Sequence, residues 1–172
     1  MQQIRFALST MALLLSVQGS AQEPTDFSGV WQMDPSRSES AHQATPIGPV
    51  TLIIKQNADE VTIETRKGAK TKTPIPSETL TFTLHGSETS IVSNSGVPIK
   101  VKAHWDGNKL ITETARNIQD ATVTTMQVFN LDSSGKELTV HKTLTIQHGY
   151  QFPGAANTGT GTDVFIRVGT KK

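Results

Sequence analysis

The chain of 172 residues contains no cysteine. This absence excludes disulfides, thiolate metal sites and a lipid-modified N-terminal cysteine. Because a domain of ordinary length buries roughly two-thirds of its unfolded surface, packing and sheet hydrogen bonds suffice to hold such a chain together. Aromatic residues are also few, at 5% of the sequence. That scarcity favours a core filled by the protein's own side chains over one that holds a ligand cavity.

Recognisable catalytic and metal-binding patterns are missing as well. The five histidines include no His-x-His or His-x-x-x-His pair, so we expect no metal site. No Gly-x-Ser-x-Gly elbow or glycine-rich phosphate loop occurs, and we therefore expect neither enzymatic activity nor a cofactor. Basic and acidic residues nearly balance, at 16 and 15, which gives no reason to expect a nucleic-acid partner. The basic run at residues 66–72 is interpreted as a solvated loop, or alternatively as a patch for an anionic polymer.

The first 21 residues have the three parts of a secretory signal peptide. Residues 1–5 carry one positive charge, residues 6–17 form a short apolar stretch, and residues 19–21 are small. The apolar stretch is shorter than the roughly 20 residues that cross a bilayer, and no other segment is long and apolar enough to do so. We therefore expect cleavage after Ala21, a periplasmic or extracellular location, and one mature domain over residues 22–172.

Alternation of apolar and polar side chains dominates the mature sequence. Ile99, Val101, Ala103 and Trp105 alternate with lysine and histidine. Three other segments alternate with threonine in the same way, and a further run closes the chain. Period two over such runs is typical of half-buried strands. The last of these runs is assigned Val164, Ile166 and Val168 as its apolar side. The expected strands span residues 28–33, 50–56, 60–66, 78–85, 88–92 (weak), 97–105, 109–116, 122–131, 136–147 and 163–169.

Short turns rich in Asp, Asn and Gly separate these segments, as at residues 57–60, 106–108 and 132–135. The pattern predicts an all-β fold, an antiparallel up-and-down barrel of about 8–10 strands, with a β-sandwich as the alternative. We expect a monomer. Two longer connections, residues 35–49 and 149–162, are predicted to be loops, and Ser36 with Glu39 suggests a capping box at the start of the first.

The opening of the mature chain resembles a known family. Residues 27–31 read Phe-Ser-Gly-Val-Trp, and this Gly-x-Trp on a first strand is similar to the signature of lipocalins and related calycins. The resemblance implies a barrel whose end Gly29 and Trp31 close, and an arginine from the last strand, here Arg167, stacked on that tryptophan. Residues 105–107 (Trp-Asp-Gly) and 132–138 also resemble segments of uncharacterised bacterial secreted proteins. The chain departs from the lipocalins in lacking a disulfide and a C-terminal helix.

Candidate ligand contacts follow from the inward side of the strands. Phe82, Val101 and Trp105 would face the interior, either as plain core residues or as the lining of a cavity. Lys142 shares the side of Val140 and Leu144, where a lone ammonium is costly to bury. It is therefore expected at a bulge or at the barrel mouth.

A functional interpretation of the same position is that Lys142, with Arg116, meets a ligand carboxylate. Two hypotheses for the whole protein remain open, and a third, an enzyme on the same barrel, ranks behind them because it needs a cluster of polar groups that converge inside the mouth. One is an exported lipocalin-like protein that binds a small apolar or amphipathic ligand. The other is a non-catalytic envelope or secreted protein with a filled core that works through its loops.

Overall fold

The computed structural model describes residues 24–44, 48–68, 78–94, 96–149 and 157–169. The predicted signal peptide, the basic run beyond Gly68 and residues 150–156 of the second predicted loop lie outside these residues. Ten strands follow one another along the chain: β1 Gly29–Met33, β2 Val50–Gln56, β3 Glu60–Lys67, β4 Glu78–Thr83, β5 Thr89–Val92, β6 Pro98–Asp106, β7 Lys109–Ile118, β8 Ala121–Leu131, β9 Glu137–His148 and β10 Asn157–Arg167.

All ten strands belong to one antiparallel sheet in the order β4-β3-β2-β1-β10-β9-β8-β7-β6-β5. Each strand pairs with its neighbour in sequence, except that β10 returns to β1 and β4 does not pair with β5. The two edges of the sheet, β4 and β5, come together at one seam. Next to it, the Gly86 amide in the turn after β4 donates to the Ala103 carbonyl of β6 over 3.1 Å. The sheet therefore rolls into a nearly closed meander barrel, which confirms the predicted fold class and excludes the sandwich.

The core lies where the alternation placed it. Phe82, Ile99, Val101 and Ala103 are all at most 1% exposed, and Trp105 packs against them from the edge of the cluster. Threonines on the other side of the same strands face outward, as their polar hydroxyls require. The described part of the chain contains no helix with the length and apolarity that crossing a bilayer demands.

The last strand differs from the prediction in extent and orientation. It begins at Asn157, not at residue 163, so the second long loop ends earlier than expected. Its inward residues are Asp163 and Phe165. Of the three residues predicted to form its apolar side, Val164 is buried, whereas Ile166 and Val168 are about 40% exposed. Alternation with glycine at residues 157–162 carries no apolar signal, which is why the sequence pattern misses this half of the strand.

The predicted capping box does not form. Ser36 directs its hydroxyl and its amide to the Asp34 carboxylate, and the only helical turn in this described segment is a 3₁₀ helix at Glu39–Ala41. Ser36 bonds to Asp34 and not to Glu39 because Asp34 directly follows the end of β1, and its side chain closes a local turn. The segment from residue 34 to 44, which we call the roof segment, then crosses against β10.

Candidate functional site

A cavity of about 210 Å³ lies inside the barrel. Its apolar lining comes mainly from β1 to β4 and from the inward residues of β9 and β10. Its polar lining comes mainly from β7, β8 and β9. The apolar residues are Met33, Val50, Leu52, Ile63, Leu80, Phe82, Val140 and Phe165. A second hollow of about 270 Å³ adjoins it under the roof segment and shares Ser40, Thr125 and Lys142 with it. The interior is therefore not solid.

The end of the barrel away from the roof segment is closed by aromatic packing. Trp31 is fully buried and donates its indole N–H to the Phe27 carbonyl over 2.9 Å. The guanidinium carbon of Arg167 lies 4.2 Å from the centre of the Trp31 ring, within the range of a cation–π contact. Arg167 also donates to the carbonyls of Ser28 and Gly135 at 2.6 and 2.7 Å. This end is a rigid plug.

Gly29 is required by that plug. Its φ of +145° is a conformation that other residues rarely adopt, and a Cβ at this position would lie 2.8 Å from Nη1 of Arg167. The glycine therefore makes room for the guanidinium above the indole. A glycine is therefore needed at residue 29 for the packing of the plug and not for contact with a ligand.

The structure divides the candidate ligand contacts into two groups. Phe82, Arg116 and Lys142 all line the cavity. Val101 is buried in the core outside that lining, and Trp105 lies at the closed end, where its ring stacks on Phe27 with 6.0 Å between centres. Trp105 misses the cavity because it lies at the plugged end of β6. Val101 is the register partner of the lining residue Thr114 but is not itself part of the lining.

Lys142 forms an ion pair with Asp163, which lies on the neighbouring strand β10. The register of β9 with both neighbours is continuous through Lys142, so no bulge turns it outward. Its side chain is 28% exposed, whereas that of Asp163 is 1% exposed. The ammonium of Lys142 thus lies in the lining of the cavity, where the carboxylate of Asp163 compensates its charge.

Asp163 also holds the roof segment. Its carboxylate accepts hydrogen bonds from the Ser40 amide at 3.0 Å and the Ser40 hydroxyl at 2.7 Å. Burial alone would raise the pKa of Asp163, but the hydrogen bonds from Lys142 and Ser40 outweigh it and keep the pKa below its ordinary value. Ser38 adds bonds to the amide and carbonyl of Val164. The roof segment is therefore anchored on β10 by polar contacts.

Arg116 is paired in a comparable way. Its two terminal nitrogens donate to the carboxylate of Glu78 over 3.0 and 3.4 Å. Glu78 begins β4 and Arg116 lies near the end of β7, so the pair joins strands on the two sides of the seam. Both cations that the sequence suggested for a ligand carboxylate thus already have a carboxylate partner within the protein.

Several lining residues were not anticipated from the sequence. Ser40, Thr125 and Gln127 line the cavity, and Asp163 supports it from behind Lys142. Thr125 and Gln127 share a parity with Phe129, and that alternation was a usable signal. Asp163 lies on the same side of β10 as Phe165. It was missed because Val164, Ile166 and Val168, on the other side, were predicted to face inward. Within the described residues, no group of three His, Asp or Glu side chains could hold a metal ion.

No family model matches this sequence, and no curated protein sequence matches it either. Solved structures do. A secretory abundant heat soluble protein from Ramazzottius varieornatus superimposes with a TM-score of 0.57 at 15% identity, over 84% of this chain and 96% of that one. Lipid binding protein 8 from Caenorhabditis elegans gives 0.52 at 14% identity, over 83% and 95%. A fatty acid transporter named REP1-NXSQ gives 0.51 at 18% identity, over 84% and 97%.

At these identities the likeness establishes the architecture. The neighbours cover the barrel almost from end to end, which agrees with the single ten-stranded meander described above. Of the three proteins, two are described by what they bind or carry, and none is described as an enzyme. The chain accordingly shares the barrel fold of these three proteins.

Proposed function

We propose that this protein is exported and binds one small apolar or amphipathic molecule inside its barrel. The observation that carries the proposal is the cavity of about 210 Å³, whose lining includes eight apolar side chains. An apolar cavity of about 150 Å³ is large enough for benzene. Pockets for drug-sized ligands begin near about 300 Å³. The cavity therefore suits a compact ligand, and the adjoining hollow offers room for a longer one.

The structural neighbours support the same class of function. The fatty acid transporter and the lipid binding protein share the architecture with this chain. A nearly closed barrel with one plugged end offers a ligand an interior enclosed by the strands. The alternative, a protein with a filled core that acts through its loops, requires an interior without such a cavity. Export is supported by the charged, apolar and small-residue parts of residues 1–21.

A blocked cavity tests the proposal. Leu80 lines the cavity, and Thr79 beside it is exposed on the outer face of β4. Protein purified from its own host would be examined by native mass spectrometry in three forms: unaltered, Leu80→Trp and Thr79→Trp. We expect a bound small molecule in the unaltered protein and in Thr79→Trp, and a loss of about tenfold or more in Leu80→Trp.

Circular dichroism and thermal unfolding would show that both tryptophan variants fold. Equal occupancy in the two variants would place the ligand outside the barrel and overturn the proposal. A protein that carries no molecule from its host, and takes up none from a panel of small apolar compounds, would overturn it as well.

A further inference from the structure

Most of the polar lining and most of the apolar lining of the cavity lie on opposite walls. The sheet order places β7, β8 and β9 five strands away from β2, β3 and β4, which is half of the ten-stranded circumference. Val50, Leu52, Ile63 and Leu80 come from the second group of strands, which also contributes the polar residues Thr65, Lys67 and Glu78 where β3 ends and β4 begins. Thr114, Arg116, Thr125, Gln127 and Lys142 come from the first. We call these the apolar wall and the polar wall.

The polar wall is a continuous patch. Thr114 pairs with Thr125 across β7 and β8, and Gln127 pairs with Lys142 across β8 and β9. Paired strands lie about 4.8 Å apart, and inward residues two positions apart are separated by about 6.7 Å. Hydrogen-bonding groups therefore cover two rows of the wall along the cavity, not a single point at its mouth.

Three of these side chains keep their hydrogen-bonding capacity for the cavity. Among the described residues, the side chains of Thr114, Thr125 and Gln127 form no hydrogen bond with one another or with any other group. Thr114 is also largely buried, at 7% exposure. Polar groups inside a protein are generally satisfied by a partner, so a patch of this kind is a surface for a ligand's hydroxyl or carbonyl groups.

The charges on this wall disfavour an anionic ligand. Arg116 is occupied by Glu78 and Lys142 by Asp163. Lys67, the third cation of the cavity lining, lies on the opposite wall at the end of β3, where it is exposed to solvent that screens its charge. A ligand carboxylate placed beside either cation would also lie close to the protein carboxylate already there, and like charges repel strongly in a poorly solvated site. An uncharged hydroxyl or carbonyl makes its hydrogen bonds without that conflict.

We infer that the ligand is an uncharged, compact ring compound with hydrogen-bonding groups along one side and an apolar opposite side. This inference rests on the proposed function and specifies its ligand class. A straight-chain fatty acid differs in both respects, because its polarity is confined to one end and its head is anionic. The ring's polar side would contact Thr114, Thr125 and Gln127, and its apolar side would contact Leu52, Ile63 and Leu80.

Two isomers provide a matched test of this arrangement. In 2,7-dihydroxynaphthalene both hydroxyls lie along one long side of the ring system, whereas in the 2,6 isomer they lie on opposite sides. Isothermal titration calorimetry would compare both with 2-naphthoate and octanoate at pH 7. Because the 2,6 isomer must leave one hydroxyl against the apolar wall, we expect the 2,7 isomer to bind about tenfold more tightly. Both anions should bind more weakly still.

Variants locate the binding site. Thr125→Val and Gln127→Leu remove hydrogen-bonding groups from the polar wall at nearly constant volume, and we expect each to weaken binding of the 2,7 isomer at least fivefold. Thr124→Val makes the same change on the outer face of β8 and should leave binding unchanged. Thermal unfolding would confirm that all three variants fold.

Other outcomes separate this inference from the proposed function. If octanoate or 2-naphthoate binds as tightly as the 2,7 isomer, or if the two isomers bind equally, the inference is overturned while the barrel remains a binding protein. If Leu80→Trp carries the same occupancy as the unaltered protein, both fall together.

Discussion

The carboxylate of Asp163 is buried behind the ammonium of Lys142, and this pair links two strands to the roof segment. Asp163 bonds Lys142 on β9 through one oxygen and Ser40 on the roof segment through both. A buried carboxylate is tolerated because three donors surround it. The same pair orients Lys142 at the edge of the cavity, so stability and the shape of the site depend on one group.

Removal of the cation should therefore be costly. We expect Lys142→Met to lower the free energy of unfolding by about 3 kcal/mol, because Asp163 would remain buried without its counter-charge. Lys100→Met is the matched control. Its partner Glu88 is 53% exposed, and an exposed pair of this kind contributes between about 0 and 1 kcal/mol. Urea denaturation of both variants measures the difference, and equal losses would show that the Lys142–Asp163 pair has no special weight.

A second prediction concerns the plug. Gly29→Ala should cost about 3 kcal/mol, because the new methyl group would push Arg167 away from Trp31 and from the Ser28 carbonyl. Gly107→Ala is the control: φ is +60° there, but no atom lies within 4 Å of an added Cβ. Backbone strain alone should cost it about 1 kcal/mol. Chemical denaturation followed by tryptophan fluorescence compares the two, and similar losses would refute the steric role of Gly29.

Most of the fold follows from local signals in the sequence, and the site follows only in part. Alternating residues such as Ile99 and Val101 specify strands because one face of each must leave water. Lys142 is conspicuous on that face, and a position near the mouth is what the structure shows. Its partner was not predictable from local pattern. Asp163 becomes its neighbour only through the register of β9 with β10, which depends on how the whole barrel closes.

Opposition of the two walls is likewise a global property. Nothing local to Gln127 says that Ile63 lies across the barrel from it, because their relation depends on the number of strands and on the return of β10 to β1. Glycines at 159 and 161 hid half of β10, since a strand without side chains on one face shows no alternation. Sequence therefore predicts which residues face inward better than it predicts which of them meet.

Export gives a third prediction. Residues 1–21 have the features of a cleaved signal peptide, so expression of the full chain in a bacterial host should yield a protein that begins at Gln22. Intact-mass measurement of the protein in the periplasmic or culture fraction checks this. Leu13→Arg with Leu14→Arg interrupts the apolar stretch and should keep the full-length chain in the cytoplasm. An uncleaved wild-type chain in the cytoplasmic fraction would contradict the proposal of export.

The turn between β8 and β9 predicts a specific acid sensitivity. The carboxylate of Asp132 accepts hydrogen bonds from the Ser134 hydroxyl and from the amides of Ser134, Lys136 and Glu137. These bonds, chiefly that from the Ser134 hydroxyl, lower the pKa of Asp132 from 3.8 to about 2. Folding thus favours the ionised form. Its stabilising effect is complete above the ordinary pKa and is lost as the pH falls through about 2.

Asp132→Asn should accordingly be less stable than the unaltered protein at neutral pH, and the difference should shrink between pH 4 and pH 2. Asp106→Asn, at the β6–β7 turn, is the control, because the Asp106 side chain accepts no hydrogen bond from another described residue. Melting temperatures measured across this pH range in the three proteins test the prediction. A gap between Asp132→Asn and the unaltered protein that stays constant down to pH 2 would show that the contribution of Asp132 does not depend on its ionisation. The absence of any gap would mean that the turn is held by its backbone alone, with Gly135 at φ +67° as the main determinant.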